Sequence, residues 1–325
     1  MFNGWRVGAS VIIAAVASAV CVAVLNRYRP RSMALSGDWL CLCSVVAGAI
    51  LGHAVLGLWP RWPPANALDR LLAIGLPAAI VLLLIGKWLG NSPRLKRALD
   101  VLFALGFVRI LLHRSVYLQD EPAGTIVFLA ISAGLLLMIQ TQVTRIWDRT
   151  QQASILLTSA VTLGSAGLLV LMAGYIKGGS AAFPWAAAIA GVTIAACSTK
   201  RRADLKGVLG LTNLILFGIL FIGRFFGGLT TDCALLVLLI PALVWVQELP
   251  VIRNWGTWQK ECVYLSLVAV TLLAVLLSAK RVFDREMAPL VNKVRTPGQV
   301  VAVMNLRPGT VVLPGGKLHS NPTRT

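Results

Sequence analysis

Ten stretches of continuous apolar sequence follow one another between residues 7 and 279, most of them about 17–22 residues long. That single feature restricts the fold more than any other. In lipid every backbone N–H and C=O must be paired within the protein, so only helices or a closed barrel can cross. Barrel strands would be about 10 residues long and would alternate apolar with polar positions. These runs are of helix length and apolar throughout. The expected fold class is therefore all-α: a polytopic integral membrane helix bundle of about ten transmembrane helices with a short C-terminal extramembrane tail.

Composition agrees. Of 325 residues, 57% are hydrophobic and 13% charged, where a soluble domain carries about 25% charged residues. The net charge is +18. In a soluble protein that would suggest nucleic acid. Here the basic residues sit in short loops between apolar runs, as orientation by positive charge requires. No basic stretch is interleaved with stacking aromatics, so nucleic acid is not an expected partner.

The ten spans are read at residues 7–25, 39–59, 71–89, 98–118, 124–140, 154–176, 183–198, 207–223, 233–246 and 262–279. The first could be a secretory signal, with Ala17-Ser18-Ala19 resembling a cleavage site. Its length and the basic Arg27–Arg31 loop behind it favour a retained helix. The sixth is rich in glycine, serine and alanine, which let helix backbones approach closely. Pro77 and Pro241 lie inside spans and predict kinks. Loops after odd-numbered spans, taken together with Lys87 at the end of the third span, hold 15 Lys/Arg, against five in the N-terminus and the even loops. This places the odd loops in the cytoplasm and both termini outside, in a bacterial-type inner membrane. Lys280, Arg281 and Arg285 resist that assignment for the tail, residues 281–325. In the tail, Phe283, Met287, Leu290, Val291 and Val294 predict a short interfacial helix. Residues 299–313 carry a hairpin signal around Arg307-Pro308-Gly309, and the chain beyond 314 reads as disordered.

The polar centre is sought in the fourth span. Arg109, His113 and Tyr117 recur at i, i+4 and i+8, one face of a helix. An intramembrane arginine is costly and usually faces a bundle interior or a wet cavity. With a guanidinium fork, an imidazole and a phenol, this face could hold a carboxylate or phosphate. The plainer alternative is an arginine that snorkels or pairs structurally. His53 and Arg224 are added as candidate ligand contacts, against the plainer readings of a packing histidine and an interfacial anchor. Spans one to four and seven to ten also correspond loosely: Asp69 precedes Pro77 by eight residues and Asp232 precedes Pro241 by nine.

What is missing narrows the classes. There is no GxxxxGK[ST], GxGxxG after a strand, HExxH or GxSxG, and no paired carboxylates stand deep in the spans. Six cysteines lie in or beside apolar runs without metal-ligand spacing. No cofactor, metal or catalytic residue is expected. The expected function is a transporter or flippase-like carrier of an anionic or lipid-linked small molecule, bound by Arg109, His113, Tyr117, His53 and Arg224. A non-catalytic scaffold or subunit of a membrane complex, docked to other membrane proteins, is the alternative. A lipid-modifying enzyme with His113 as base is the third, for which no catalytic pair is visible.

Overall fold

The computed structural model describes residues 4–28, 37–88, 92–113, 122–150, 153–198 and 205–295, and among them every regular element is helical. The helices are α1 (Gly4–Tyr28), α2 (Gly37–Leu56), α3 (Ala67–Arg70), α4 (Leu76–Trp88), α5 (Pro93–Leu111), α6 (Pro122–Thr150), α7 (Ala153–Met172), α8 (Ile176–Ser198), α9 (Lys206–Phe226), α10 (Thr231–Leu239), α11 (Pro250–Arg253) and α12 (Thr257–Arg295). A π-helical turn, Leu71–Gly75, joins α3 to α4, and a 3₁₀ segment, Ile240–Glu248, extends α10. Among the described residues nine spans are long and apolar enough to cross a membrane. Their outward faces carry Ile12, Val16 and Val20 on α1, Ile126 and Ile131 on α6, and Val270 and Leu273 on α12, all exposed. So much apolar surface suits hydrocarbon and not water. The protein is a multi-pass, all-α membrane protein.

The fourth expected span differs from the other nine. Its helix, α5, is Pro93–Leu111 rather than 98–118. Proline at the first position starts it early, because the missing N–H is one that a helix start leaves unpaired anyway. Arg94, Lys96 and Arg97 thus lie on its first turns, too charged for it to rank with the nine. Chain geometry still makes it run the length of the bundle. Phe128, near the start of α6, packs edge-on against Phe225 near the end of α9, with ring centroids 5.2 Å apart. Arg70 at the start of the α3–α4 span bonds to the His113 carbonyl just beyond α5. The span α3–α4 therefore leaves the end at which α6 begins, and α5 must bring the chain back.

α9 is the axis. Residues from Gly207 to Gly223 are buried almost without break. Phe217, Phe221 and Phe225, one turn apart, form a ladder with centroid spacings of 5.5 and 4.6 Å. Phe107 of α5 and Phe128 of α6 join it from two sides. α12 buries Tyr264, Val268, Leu272 and Val275, a stripe at helical spacing.

On the other flank small residues set the distances between helices. A Cβ on Gly167 of α7 would stand 2.7 Å from the Gly179 carbonyl of α8. One on Gly191 of α8 would strike the Ala15 backbone of α1. α1 thus packs as a member of the bundle.

The helix breaks have local causes. Pro77 has no N–H to give Ala73, and its ring crowds that carbonyl. The preceding turn widens, so that Leu76 N–H reaches back five residues to Leu71 O. The wide turn seats Leu71 on Gly218 of α9 and brings Gly75 against the Phe107 ring. Pro241 stands at the second position of the 3₁₀ segment. The ninth span, expected at 233–246, is thus Thr231–Glu248, part α and part 3₁₀. The proposed match between Asp69 and Asp232 goes no further than spacing, since Asp69 is buried and Asp232 exposed.

The chain divides into two units, Met1–Lys280 and Arg281–Thr325. α12 covers both the span at 262–279 and the apolar stripe at 283–294. The hairpin and the disordered end expected in the tail lie outside the described residues.

The glycine contacts yield a contrast. Gly191→Val meets backbone that cannot turn aside, so it should lower stability by about 1–3 kcal/mol or more. Gly106→Ala on α5 meets nothing within 4 Å and should gain about 0.5–1 kcal/mol of helix stability. Thermal unfolding in detergent, followed by tryptophan fluorescence, reads both.

Candidate functional site

Two helices of the bundle end in the same motif at the same end. At the close of α2, Gly57 takes φ +68°, its N–H reaches Ala54 O at 3.1 Å, and Leu58 N–H reaches His53 O at 3.0 Å. At the close of α7, Gly174 takes φ +87°, its N–H reaches Leu171 O at 3.0 Å, and Tyr175 N–H reaches Val170 O at 3.1 Å. Both are Schellman caps, in which a left-handed glycine turns the chain out of the helix and satisfies its last carbonyls. One cap delivers Leu58, Trp59 and Arg61 to the end of the bundle, and the other delivers Tyr175 and Lys177.

Between them lies the start of the α3–α4 span. Asn66 caps it, its Oδ1 accepting the Asp69 N–H at 2.8 Å. An acidic residue three positions past the cap is favoured by the helix dipole. Asp69 is nonetheless deep, only 6% exposed, and its Oδ2 has no hydrogen-bond partner among the described residues. The three pieces enclose a cavity of about 140 Å³, lined by Gly57, Trp59, Arg61, Asn66, Asp69 and Lys177 together with Leu58, Ala65, Leu68 and Leu72. Arg61 and Lys177 are exposed at its edge, and Trp59 is 63% exposed. Burial, and then the negative charge of Asp69, push the Tyr175 phenol above its ordinary range.

Next to Asp69 stands the buried arginine among the described residues, and it is Arg70, not Arg109. Arg70 is 6% exposed. Its Nη1 donates to the His113 carbonyl, and its Nη2 to Ala65 O at 3.4 Å. It ties the end of α5 to the start of the α3–α4 span.

The residues singled out from sequence are dispersed. Arg109 is exposed, two positions before α5 ends at Leu111. His113 lies past that end in a turn, where its N–H reaches Ile110 O at 3.3 Å, so it does not continue the helical face of Arg109. Its ring is exposed, and it is its carbonyl that the fold uses. Tyr117 lies outside the described residues. His53 is buried between α2 and α8: Nδ1 is 2.7 Å from Ala49 O, and the ring meets Trp185 edge-on at 6.0 Å. Arg224 closes α9, its Nε donating to Thr231 Oγ1 at 2.7 Å and its guanidinium over the Phe225 ring. None of these four lines the cavity. Among the described residues no three His, Cys, Asp or Glu side chains gather as metal ligands would.

The missed residues had a signal. Asn66-Ala67-Leu68-Asp69 directly before an apolar run is a helix-start signature. It puts Asp69 within the first turn of a span, where a buried carboxylate becomes possible.

Two outcomes follow. Arg70→Gln removes a charged donor from two carbonyls and should cost about 1.5–3 kcal/mol. Arg109→Gln, on an exposed face, should stay within about 0.5 kcal/mol. Paired melting curves decide between them. Separately, Asp69→Asn removes the smaller of the two influences that push the Tyr175 phenol up, burial being the larger. Tyr175 should then ionise at lower pH than in the parent, read as tyrosinate absorbance with Tyr175→Phe subtracted.

Comparison with protein-family models, with curated proteins and with solved structures finds no match for this chain.

Proposed function

We propose that this protein is a carrier, of transporter or flippase type, that takes an anionic or lipid-linked small molecule into the cavity beside Asp69. The observation that carries the reading is that cavity. It holds Asn66 and Asp69 in a partly apolar wall, it is edged by Arg61 and Lys177, and it sits against a helix that is wound wide just below it. Transporters commonly place their sites at discontinuous helices, because the broken turn exposes polar groups and permits movement. Here the turn at Leu71–Gly75 ahead of Pro77 and the 3₁₀ segment at Pro241 supply two such breaks. The exposed Trp59 and Trp62 beside the cavity suit the headgroup layer, which favours a lipid-linked substrate.

The counted loop charges put this end on the outer side of a bacterial-type inner membrane, with the N-terminus outside. Ligand contact passes from the Arg109 face to Arg61, Lys177, Asn66 and Asp69, with Arg109 left as a snorkelling arginine.

The close packing of α1, α7 and α8 through Gly167, Gly179 and Gly191 favours a second reading. A bundle locked that tightly suits a non-catalytic scaffold or a subunit of a membrane complex.

Reconstitution separates the two. Proteoliposomes holding the full chain and a fluorescent anionic phospholipid are quenched from outside with dithionite. A carrier should expose inner-leaflet probe faster than empty vesicles, and Pro77→Ala should slow that exposure while leaving the fold intact. Equal rates with and without protein, for this probe and for a radiolabelled water-soluble organic anion, would sink the carrier and leave the scaffold.

A further inference from the structure

The carrier reading leaves the ligand as an anion, and Asp69 makes that incomplete. Arg61 and Lys177 at the edge of the cavity would attract any anion that reached them. Asp69 would repel it. Asp69 lines the cavity at only 6% exposure, its Oδ2 has no hydrogen-bond partner among the described residues, and a buried acceptor in that state is costly. The neighbouring Asn66 Oδ1 is occupied by the Asp69 N–H. The group that would complete it is a donor, and for a carboxylate the strongest donor is a cation with N–H groups.

From these positions we infer that the cavity binds a small zwitterion: a protonated primary amine against Asp69, and an anionic carboxylate or phosphate against Arg61 and Lys177. This refinement rests on the carrier reading for its biological sense, but its chemistry stands on the cavity alone.

Size narrows the class. The cavity is small, about 140 Å³. Sites for drug-sized ligands run to about 300–1,000 Å³. What fits is an amine and an anionic group a few bonds apart, the chemistry shared by the head group of an aminophospholipid and by a free amino acid. A choline head group has the positive charge but no N–H, and leaves Oδ2 without a donor. Inorganic phosphate has the anion without the amine, and meets the Asp69 charge unscreened.

The test uses the full chain in nanodiscs of phosphatidylglycerol, with tryptophan fluorescence as readout because Trp59 lines the cavity. The soluble probes are phosphoethanolamine, serine, phosphocholine and inorganic phosphate. The lipid probe is phosphatidylethanolamine, exchanged into the disc. We expect at least one primary-amine zwitterion to bind about tenfold or more tightly than phosphocholine and inorganic phosphate. Asp69→Asn should abolish that preference, and Lys177→Met together with Arg61→Gln should weaken binding of the zwitterion itself. A response to phosphatidylethanolamine alone assigns the site to a lipid head group, and a response to serine or phosphoethanolamine alone assigns it to a soluble ligand.

Equal binding of inorganic phosphate, no response to any probe, or an unchanged preference in Asp69→Asn overturns the inference. Should Asp69→Asn fail to fold, the ranking of the four soluble probes on the parent chain still decides. Amine-selective binding without flux in proteoliposomes removes the carrier and keeps the zwitterion site, whereas flux without amine selectivity does the reverse.

Discussion

Hydrocarbon offers no partner to a backbone N–H or C=O, and most of this molecule follows from that. Each span must satisfy itself, so the described chain is helical nearly throughout. Departures from the α-helix survive only where protein surrounds them. The π turn at Leu71–Gly75 is such a place: it lies against α9 and Phe107 and re-pairs the ladder one residue further back. A proline in the fourth position of a lipid-facing turn would have left a carbonyl stranded. Here the wide turn absorbs it, and the same widening aims Leu71 into the notch at Gly218.

Between apolar helices, lipid removes the hydrophobic drive to associate, and contact depends on fit and on polar links. Both occur here, on different flanks. α1, α2, α7 and α8 meet through small residues. α5, α6 and α9 meet through phenylalanines, with Gln140 Nε2 donating to Gly210 O at 2.8 Å as a polar tie between α6 and α9. The α3–α4 span is held by Arg70, whose guanidinium reaches two carbonyls from separate parts of the chain. The cavity forms beside this last, polar contact, where two glycine caps and an asparagine cap bring three chain ends together.

That arrangement explains why an arginine at one sequence position became structural and another stayed outside. Arg70 and Arg109 both lie within about one turn of a helix end. Their difference is rotational. Arg70 falls on the side of its helix that faces α5, whereas Arg109 falls on the side of α5 that faces away from the bundle. A helical face can be read from spacing, but which neighbour it meets is decided by packing. The Arg109–His113–Tyr117 face also assumed a helix to residue 118, and α5 ends at Leu111. Spacing conveys a shared face only while the helix lasts.

The sequence by itself determined the class: apolar runs of spanning length, sparse charge and basic loops leave a helical membrane bundle as the only economical fold. It also determined the local punctuation, for Pro77, Gly57, Gly174 and Asn66 each act through backbone chemistry that their own residue type dictates. Only the tertiary structure decided which polar groups meet. Lys177 is remote in the chain from Arg61 and Asp69, and the three share a cavity because α2 and α7 finish, and the α3–α4 span starts, at one end of the bundle. Burial is a property of neighbours, and a carboxylate in the first turn of a span looks solvated until the loops that cover it are in place.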